Sequence, residues 1–260
     1  MIYINNKEKL NRLNKIQNYY VVTDFDRTLT TKESEPSMGV VPKHLGGECL
    51  RQRMKIFNYY RPLELDYTIK EQEKLKIMKE WANKSFTLVS KYITQDVIDK
   101  ALEKANIHFR KGAKSFLTKM NNMNIPVIIM SSGVGNIIKS FLKKEGCLFE
   151  NIEIVSNFFE FKDERAYIDF DSIMATLDKK YEKIPQNIRN KLEQKENALL
   201  FGDLIEDIKM VNKEKLSNTI TFGFLDDNVE KNLESYKKNF DVVFTGDEDF
   251  DSIKQVLNFN

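Results

Sequence analysis

The sequence predicts an α/β fold: a Rossmann-like three-layer core around a mainly parallel sheet, with a helical cap (lid) domain inserted after the first predicted strand. Two observations predict the core. Short apolar runs alternate with amphipathic stretches of helical spacing, and acidic or small polar residues follow several of the runs directly. One further observation predicts the cap, because the alternation stops between residues 32 and 107.

The strands of the predicted core are short apolar runs. Pro126 begins one of them, which is tolerable because the first residue of a strand need not donate to the ladder. Helical patterns separate several runs, notably Ile137–Lys144 and Val229–Tyr236. The predicted strands are Tyr19–Thr23, Pro126–Met130, Ile152–Ser156, Ala198–Phe201, Thr219–Phe224 and Val242–Phe244.

The predicted cap comprises residues 32–107, which leaves residues 1–31 and 108–260 for the core. This stretch has no clear strand pattern and contains long charged segments of good helix formers, Ile69–Tyr92 and Gln95–Asn106. Glu35–Gly39, with its proline and glycine, is interpreted as the loop that crosses into the cap.

Composition narrows the functional classes. The 260 residues carry 41 basic and 39 acidic side chains, a formal charge of +2, without a basic block, so nucleic acid and anionic membranes are not expected partners. Apolar runs are too short to cross a bilayer, and Met1–Ile4 lacks the apolar stretch of a signal peptide. Cys49 and Cys147 lack metal-ligand spacing and are predicted to be reduced thiols. We therefore expect a soluble, cytoplasmic protein. Nothing in the sequence indicates its oligomeric state.

The most informative stretch is Asp24-Phe25-Asp26-Arg27-Thr28, directly after the predicted strand Tyr19–Thr23. Two carboxylates at the end of a buried strand are costly to desolvate unless a cation or several donors accompany them. A divalent metal would meet that requirement, and an aspartate held by a metal can also act as a nucleophile. The pair therefore indicates chemistry more than packing.

Other polar groups are predicted at the same edge of the sheet, where ligands of open α/β folds bind. Ser131, Ser132 and Gly133 follow the second predicted strand and suit a phosphate, held by backbone N–H groups, a hydroxyl and a helix N-terminus. The other polar residues expected at this edge are Asp203 and Asp207, after a later strand, and Lys179 and Lys180, before that strand. Taken singly, such features are often caps, turns or solvated pairs, but together and in this order they match the needs of phosphoryl transfer.

These residues resemble the four motifs of the haloacid dehalogenase superfamily. The first motif resembles Asp24–Thr30, the second Ser131 and the fourth Gly202-Asp203 with Asp207. The third is assigned to Lys180, with Lys179 as the alternative. More of the chain is similar to the cytosolic pyrimidine 5'-nucleotidase family, over about residues 21–257. The similar segments are Leu63–Asp66, Glu80–Ser85, Ser131–Gly135, Val155–Phe158 and Gly223–Asp227, continuing through Tyr236 to Asp241–Val243.

The resemblance implies a mechanism. Asp24 would attack phosphorus and form an aspartyl-phosphate, while Asp26 would act first as acid and then as base, which requires a raised pKa. Mg²⁺ would be held by Asp24, the backbone carbonyl of Asp26, Asp203 and Asp207.

The resemblance also implies substrate contacts. Ser131, with Ser132 and Gly133 beside it, and Lys180 would bind the phosphoryl group, and Glu64 in the cap would contact an amino or imino edge of a base. The expected reaction is hydrolysis of a nucleoside 5'-monophosphate, preferably a pyrimidine one, beneath a closing lid.

Departures from the family pattern leave the base preference of the enzyme undetermined. Vertebrate members show Trp-Tyr-Thr-Lys-Ser-His in the cap, where this chain has Trp81-Ala82-Asn83-Lys84-Ser85-Phe86. Trp81 and Phe86 either replace the missing aromatic surface or face the cap core. Leu204–Glu206 is also bulkier and more acidic than usual. The alternatives are a phosphatase for a sugar phosphate or phosphoserine, transfer to a nucleoside acceptor, and a non-catalytic nucleotide-binding protein on the same fold.

Overall fold

One mixed, mainly parallel sheet organises the part of the chain that the computed structural model describes, residues 1–13, 18–64, 66, 68–163, 165–246 and 248–257. The strands are β1 Ile2–Ile4, β2 Tyr19–Thr23, β3 Val127–Val134, β4 Ile152–Asn157, β7 Asn197–Gly202, β8 Thr219–Leu225 and β9 Val242–Thr245, with a separate hairpin of β5 Glu160–Lys162 and β6 Arg165–Tyr167. The strand order in the sheet is β1-β9-β8-β7-β2-β3-β4, and all neighbours are parallel except the antiparallel pair β1 and β9.

The α/β prediction is confirmed, and the six predicted strands lie in the sheet within a few residues of their expected bounds. Strand β1 and the hairpin were not predicted from the sequence. Each of these three strands has only three residues, too few for an alternating or apolar pattern to stand out.

The helices flank the sheet or fall in the predicted cap range. Between residues 32 and 107 the described residues form four helices and no strand, as expected, and the boundaries of the cap stay a prediction. No helix of the described ranges is long and apolar enough to span a membrane. The helices are α1 Lys7–Leu13, α2 Val40–Leu45, α3 Gly47–Glu64, α4 Glu71–Ser90, α5 Gln95–Lys104, α6 Ala113–Asn122, α7 Gly135–Lys144, α8 Gln186–Glu193, α9 Val229–Asn239 and α10 Phe250–Val256.

The two faces of the sheet bury separate sets of side chains. In β2, Tyr19 and Val21 point into one apolar cluster and Tyr20 and Val22 into the other, as the two-residue period of a strand requires. Both clusters are buried because helices cover both faces, which explains why β2 is apolar throughout.

Strand register places the polar residues of interest side by side. β2 lies between β7 and β3, with Thr23 opposite both Phe201 and Ile129. Asp24, the end of β7 and the end of β3 therefore meet at the middle of one sheet edge. β3 also has an irregularity between Met130 and Val134, which displaces the backbone there from the regular ladder.

A buried arginine supports the turn that follows β2. Arg27 has a left-handed backbone with φ of 67°, which is uncommon for a residue with a side chain. Arg110 donates to the carbonyl oxygens of Arg27 at 2.7 Å and Thr28 at 3.2 Å. Its guanidinium also pairs with Asp226 at 2.8 Å and lies 4.3 Å from the centroid of the Phe224 ring.

We expect Arg110→Met to lower the free energy of unfolding by about 3–5 kcal/mol, because Asp226 is left as an unpaired buried carboxylate. Denaturant unfolding monitored by circular dichroism measures this loss. Lys111→Met is the matched control on the neighbouring residue, whose side chain is 78% exposed; we expect it to change stability by less than about 0.5 kcal/mol.

Adding Asp226→Asn to Arg110→Met is expected to restore part of the loss, since no buried charge then lacks a partner. A double variant as unstable as the sum of the two single variants would contradict this account.

Candidate active site

Asp24 lies at the end of β2 and is buried beside a lysine. Its backbone N–H donates to the carbonyl of Phe201 at 3.0 Å, which continues the β2–β7 pairing by one residue. Oδ1 accepts a hydrogen bond from Nζ of Lys179 at 2.9 Å. Burial raises the pKa of Asp24 to about 7, with Lys179 opposing that rise and Asp207 adding to it. The carboxylate therefore needs positive charge nearby to be fully ionised at neutral pH.

Asp26 is held by a residue that the sequence analysis did not select. Oδ1 accepts the backbone N–H of Ser37 at 2.9 Å and Oδ2 accepts the Ser37 hydroxyl at 2.7 Å. Burial raises the pKa of Asp26, in the expected direction, while the two hydrogen bonds from Ser37 oppose the rise. The structure thus places a carboxyl of raised pKa beside Asp24.

Gly133 must be a glycine in this arrangement. A Cβ built on it would lie 1.9 Å from Oγ of Ser37 and 3.2 Å from Oδ2 of Asp26. The backbone at the end of β3 therefore approaches the Asp26–Ser37 pair more closely than any side chain permits.

Lys179, not Lys180, is the lysine at the site, which corrects the choice made from the sequence. Nζ of Lys179 lies 2.9 Å from Oδ1 of Asp24 and 2.5 Å from Oδ1 of Asp207. Burial lowers the pKa of Lys179, but the carboxylates of Asp207, Asp24 and Asp203 outweigh it and raise that pKa. Lys180 is partly exposed and does not line the cavity described below. Adjacent residues in an extended segment point to opposite sides, so only one of the pair can face the acids.

Asp203 and Asp207 complete an acidic cluster with Asp24. Each of the three offers a carboxylate oxygen, and these oxygens lie within 4.8 Å of one another. Burial first, and then the charges of Asp24 and Asp207, raise the pKa of Asp203 well above its usual range. Gly202 allows this approach, because a Cβ there would lie 2.5 Å from Cβ of Asp207.

The cluster fits a hard divalent cation. Asp207 is fully buried, and although Oδ2 accepts the N–H of Leu204 at 3.0 Å, Oδ1 has no well-aligned donor even from the nearby lysine. A buried carboxylate oxygen without a directed hydrogen bond, next to two further carboxylates, is suited to Mg²⁺, which prefers oxygen ligands. Asp24, Asp203 and Asp207 are the residues that would hold such an ion.

The end of β3 supplies the predicted hydroxyl and backbone groups. Ser131 is buried, and its Oγ accepts the N–H of Gly133 at 3.1 Å. Ser132 lies with its hydroxyl 3.5 Å from that of Thr176. Helix α7 begins two residues after Gly133, so its N-terminal N–H groups lie next to this segment.

A cavity of about 250 Å³ joins the acidic cluster to helices α3 and α4. At one end it is lined by Asp24, Asp26, Lys179 and Asp203 together with Ser131–Gly133, and at the other by residues of the predicted cap. The cap residues in its wall include Arg53, Phe57, Arg61, Glu64, Trp81 and Ser85.

Glu64 lies in the cap wall of this cavity, where the resemblance places a base contact. It is buried and forms an ion pair with Arg61 through Oε2. A carboxylate has several acceptor positions, so Glu64 can accept an N–H group from a ligand while it pairs with Arg61. Leu65, part of the same similar segment, lies outside the described residues.

The two cap aromatics take different positions. Phe86 is fully buried and packs on Phe159 at a centroid distance of 5.7 Å, although it also touches the cavity. Trp81 stacks on Tyr60 at 5.9 Å with an interplanar angle of 8°, and it lines the cavity as well. Trp81 therefore offers aromatic surface to a ligand, while Phe86 belongs mainly to the packed core.

Ser37, Arg53 and Arg27 are site residues that sequence reasoning missed. Ser37 falls in the crossing loop, and nothing in that segment signals its bond to Asp26. Arg53 sits in a charged helix where a cation is unremarkable. Arg27 lies inside the first motif, and its Nε lies 3.6 Å from Oδ2 of Asp203. A basic residue directly after two acidic ones was the signal in the sequence that could have identified it.

Comparison with known proteins agrees with this geometry. The family model described as pyrimidine 5'-nucleotidase (UMPH-1) matches residues 31–259. The 7-methylguanosine phosphate-specific 5'-nucleotidase of Homo sapiens is 29% identical over 248 residues, covering 91% of this chain and 83% of that protein. The Drosophila melanogaster protein of the same name is 30% identical over 253 residues, covering 92% and 78%.

Solved structures give the same picture. Cytosolic 5'-nucleotidase IIIB bound to cytidine superposes with a TM-score of 0.84 at 25% identity, covering 99% of this chain and 92% of that one. A phosphoserine phosphatase, solved as an analogue of its phospho-aspartyl intermediate, superposes with a TM-score of 0.59 at 18% identity, covering 93% and 99%. The second likeness concerns the fold alone.

The raised pKa of Asp24 predicts a pH dependence of stability for the metal-free protein. Below about pH 4 the Asp24 carboxyl is protonated in both the folded and the unfolded protein. Between about pH 4 and 7 only the folded protein keeps this proton, so the stability that Asp24 contributes is lost as the pH rises. We therefore expect Asp24→Asn to become progressively more stable relative to wild type over that range. Denaturant unfolding in EDTA at several pH values measures the difference, and a constant difference would contradict the assignment.

Proposed function

The chain belongs to the pyrimidine 5'-nucleotidase (UMPH-1) family, and from that premise we propose that it hydrolyses nucleoside 5'-monophosphates in a Mg²⁺-dependent reaction. It is a phosphoric monoester hydrolase with the fold of the haloacid dehalogenase-type phosphatases. The observation that carries the proposal is the convergence of Asp24, Lys179 and the Asp203–Asp207 pair at one end of a cavity whose other end contains Glu64.

In the proposed reaction Asp24 is the nucleophile. Its carboxylate attacks phosphorus, the bond to the ribose 5'-oxygen breaks, and an aspartyl-phosphate forms. Asp26 gives its proton to the departing oxygen and then takes one from the water that hydrolyses the intermediate. The position of Asp26 supports this role, because burial favours its protonated form and it shares the cavity with Asp24.

The charges of the phosphate are met by groups on the sheet edge. Lys179 forms ion pairs with two carboxylates and keeps N–H groups that can donate to a phosphate oxygen. Ser131 and the N–H groups of the β3–α7 junction face the same space. Mg²⁺ bound by Asp24, Asp203 and Asp207 would neutralise further negative charge on the phosphate. The Asp26 backbone carbonyl as a fourth ligand stays a prediction.

The cap end of the cavity is proposed to bind the base. Glu64 can accept an N–H of the base, and Trp81 offers a ring face for stacking. Both cytosine and 7-methylguanine present such N–H groups. The names of the relatives and the cytidine in the similar structure therefore support a nucleotide substrate. Whether the enzyme prefers a pyrimidine base, as expected from the sequence, or 7-methylguanine is to be tested. The word cytosolic in the names of similar proteins supports a cytoplasmic location, which we also propose.

The first test is phosphate release from CMP, UMP, AMP, GMP, 7-methylguanosine monophosphate, ribose 5-phosphate and phosphoserine in Mg²⁺. We expect nucleotides to exceed the two base-free substrates in kcat/KM by at least about tenfold, since a hydrogen bond and stacking on the base each contribute. EDTA and Asp24→Asn should abolish turnover. Equal rates on all substrates would retain the phosphatase chemistry and reject a nucleotidase. Nucleotide binding with turnover unaffected by Asp24→Asn would reject the assigned nucleophile.

The second test separates the adjacent lysines. We expect Lys179→Met to lower kcat by about 100-fold or more, because a preorganised charge at the transferring phosphoryl group is lost. Lys180→Met is the matched control and should stay within about twofold of wild type, since its side chain does not line the cavity. Steady-state kinetics measure both, with thermal unfolding to confirm that each variant is folded. A larger loss in Lys180→Met would restore the choice made from the sequence.

A further inference from the structure

Arg53 is a buried arginine of helix α3, and two of the three guanidinium nitrogens lack a hydrogen-bond acceptor among the described residues. Its exposed fraction is 8%, and neither Nε nor Nη1 has a partner among the described residues. The guanidinium carbon lies 5.3 Å from the centroid of the Phe57 ring. A buried guanidinium without acceptors is costly unless a ligand supplies them.

The surroundings of Arg53 place it in the ligand cavity. The side chain forms part of the same cap wall as Glu64 and Arg61. Burial lowers the pKa of Arg53 to about 10, and the Glu64 carboxylate opposes that shift, so the two charges act on each other across the wall. At that pKa the guanidinium stays charged at neutral pH, and the wall presents an N–H acceptor next to N–H donors.

A base matches this wall when it carries a carbonyl oxygen near an N–H group. Cytosine and guanine have both groups, whereas adenine has amino hydrogens but no carbonyl. Charge adds a second criterion, because 7-methylguanine bears a positive charge on its imidazole ring. Arg53 and Arg61 outnumber the single carboxylate of Glu64 in the wall, and like charges in a partly desolvated site repel.

On the basis of the proposed function, we propose that Arg53 is a specificity-determining residue that selects neutral bases carrying a carbonyl oxygen, over both adenine and the cationic 7-methylguanine. Its N–H groups donate to the carbonyl oxygen while Glu64 accepts an N–H group on the same edge of the base. The preference of this chain would thus differ from the substrate in the names of its relatives.

The test compares kcat/KM for CMP, GMP, AMP and 7-methylguanosine monophosphate in wild type and Arg53→Leu. We expect the wild type to prefer CMP and GMP. In Arg53→Leu, kcat/KM for these two should fall by about 10- to 100-fold, the loss expected for a charged hydrogen bond, mainly through KM. The ratio of 7-methylguanosine monophosphate to GMP should rise correspondingly. Arg53→Lys, which keeps the charge but loses the planar fork, should fall between the two.

Arg51→Leu is the matched control, because Arg51 lies on the same helix with a side chain that is 68% exposed and pairs with Glu48. It should leave all four values unchanged. A uniform loss across the four substrates in Arg53→Leu, or unchanged base ratios, would overturn the proposal, since a purely structural role cannot discriminate between bases. Thermal unfolding of each variant reports whether the fold is intact.

A binding experiment separates this proposal from the proposed function. Calorimetric titration of wild type and Arg53→Leu with cytidine, guanosine, adenosine and 7-methylguanosine needs no hydrolysis. Selective loss of cytidine and guanosine binding in Arg53→Leu would support the role of Arg53 even if no nucleotide were turned over. Turnover of nucleotides with the same base ratios in both proteins would retain the nucleotidase and reject the role of Arg53.

Discussion

The buried ammonium of Lys179 is the interaction on which the rest of the site depends. Without it, Asp24, Asp203 and Asp207 would crowd three carboxylates into a space from which water is largely excluded. Such a cluster would hold protons at neutral pH and lose both its nucleophile and its affinity for a cation. Lys179 reduces that repulsion from one side, and a divalent ion would reduce it from the other. The positions of the three carboxylates in the site therefore depend on the positive charges that lie on either side of them.

The sheet explains why such a balance can be built here. Strand β2 lies between β7 and β3, so residues from three distant parts of the chain reach one edge with no need for long loops. Packing on both faces fixes these strand ends, since the side chains of β2 alternate between two apolar clusters. Arg110 adds a further constraint by holding the left-handed turn at Arg27, which directs the chain away from the sheet just after Asp26. Stability and positioning thus share the same residues.

Most of the sheet could be predicted because buried parallel strands leave runs of apolar residues, as Tyr19–Thr23 and Ala198–Phe201 do. A strand of three residues is too short to form such a run, and β1 was not predicted for that reason. The acids were predicted because two carboxylates after an apolar run have few structural explanations. Lys179 and Lys180 could not be separated, since the sequence does not give the direction of each side chain in an irregular segment. Ser37 and Arg53 could not be predicted, because their importance lies in the direction of a side chain, which the sequence does not give: Ser37 donates to Asp26, and Arg53 lines the cavity.

Gly133, Ser37 and Asp26 have a consequence for how this sequence can change. A methyl group at position 133 would coincide with the Ser37 hydroxyl, and that hydroxyl is bonded to Asp26. Replacing the glycine therefore forces the serine to move or to lose its oxygen, and the carboxyl then loses a donor. Substitutions at these three positions are expected to be epistatic: each is harmful or tolerated according to the other two. Homologues should consequently exchange them as a set, although the residues belong to three separate segments of the chain.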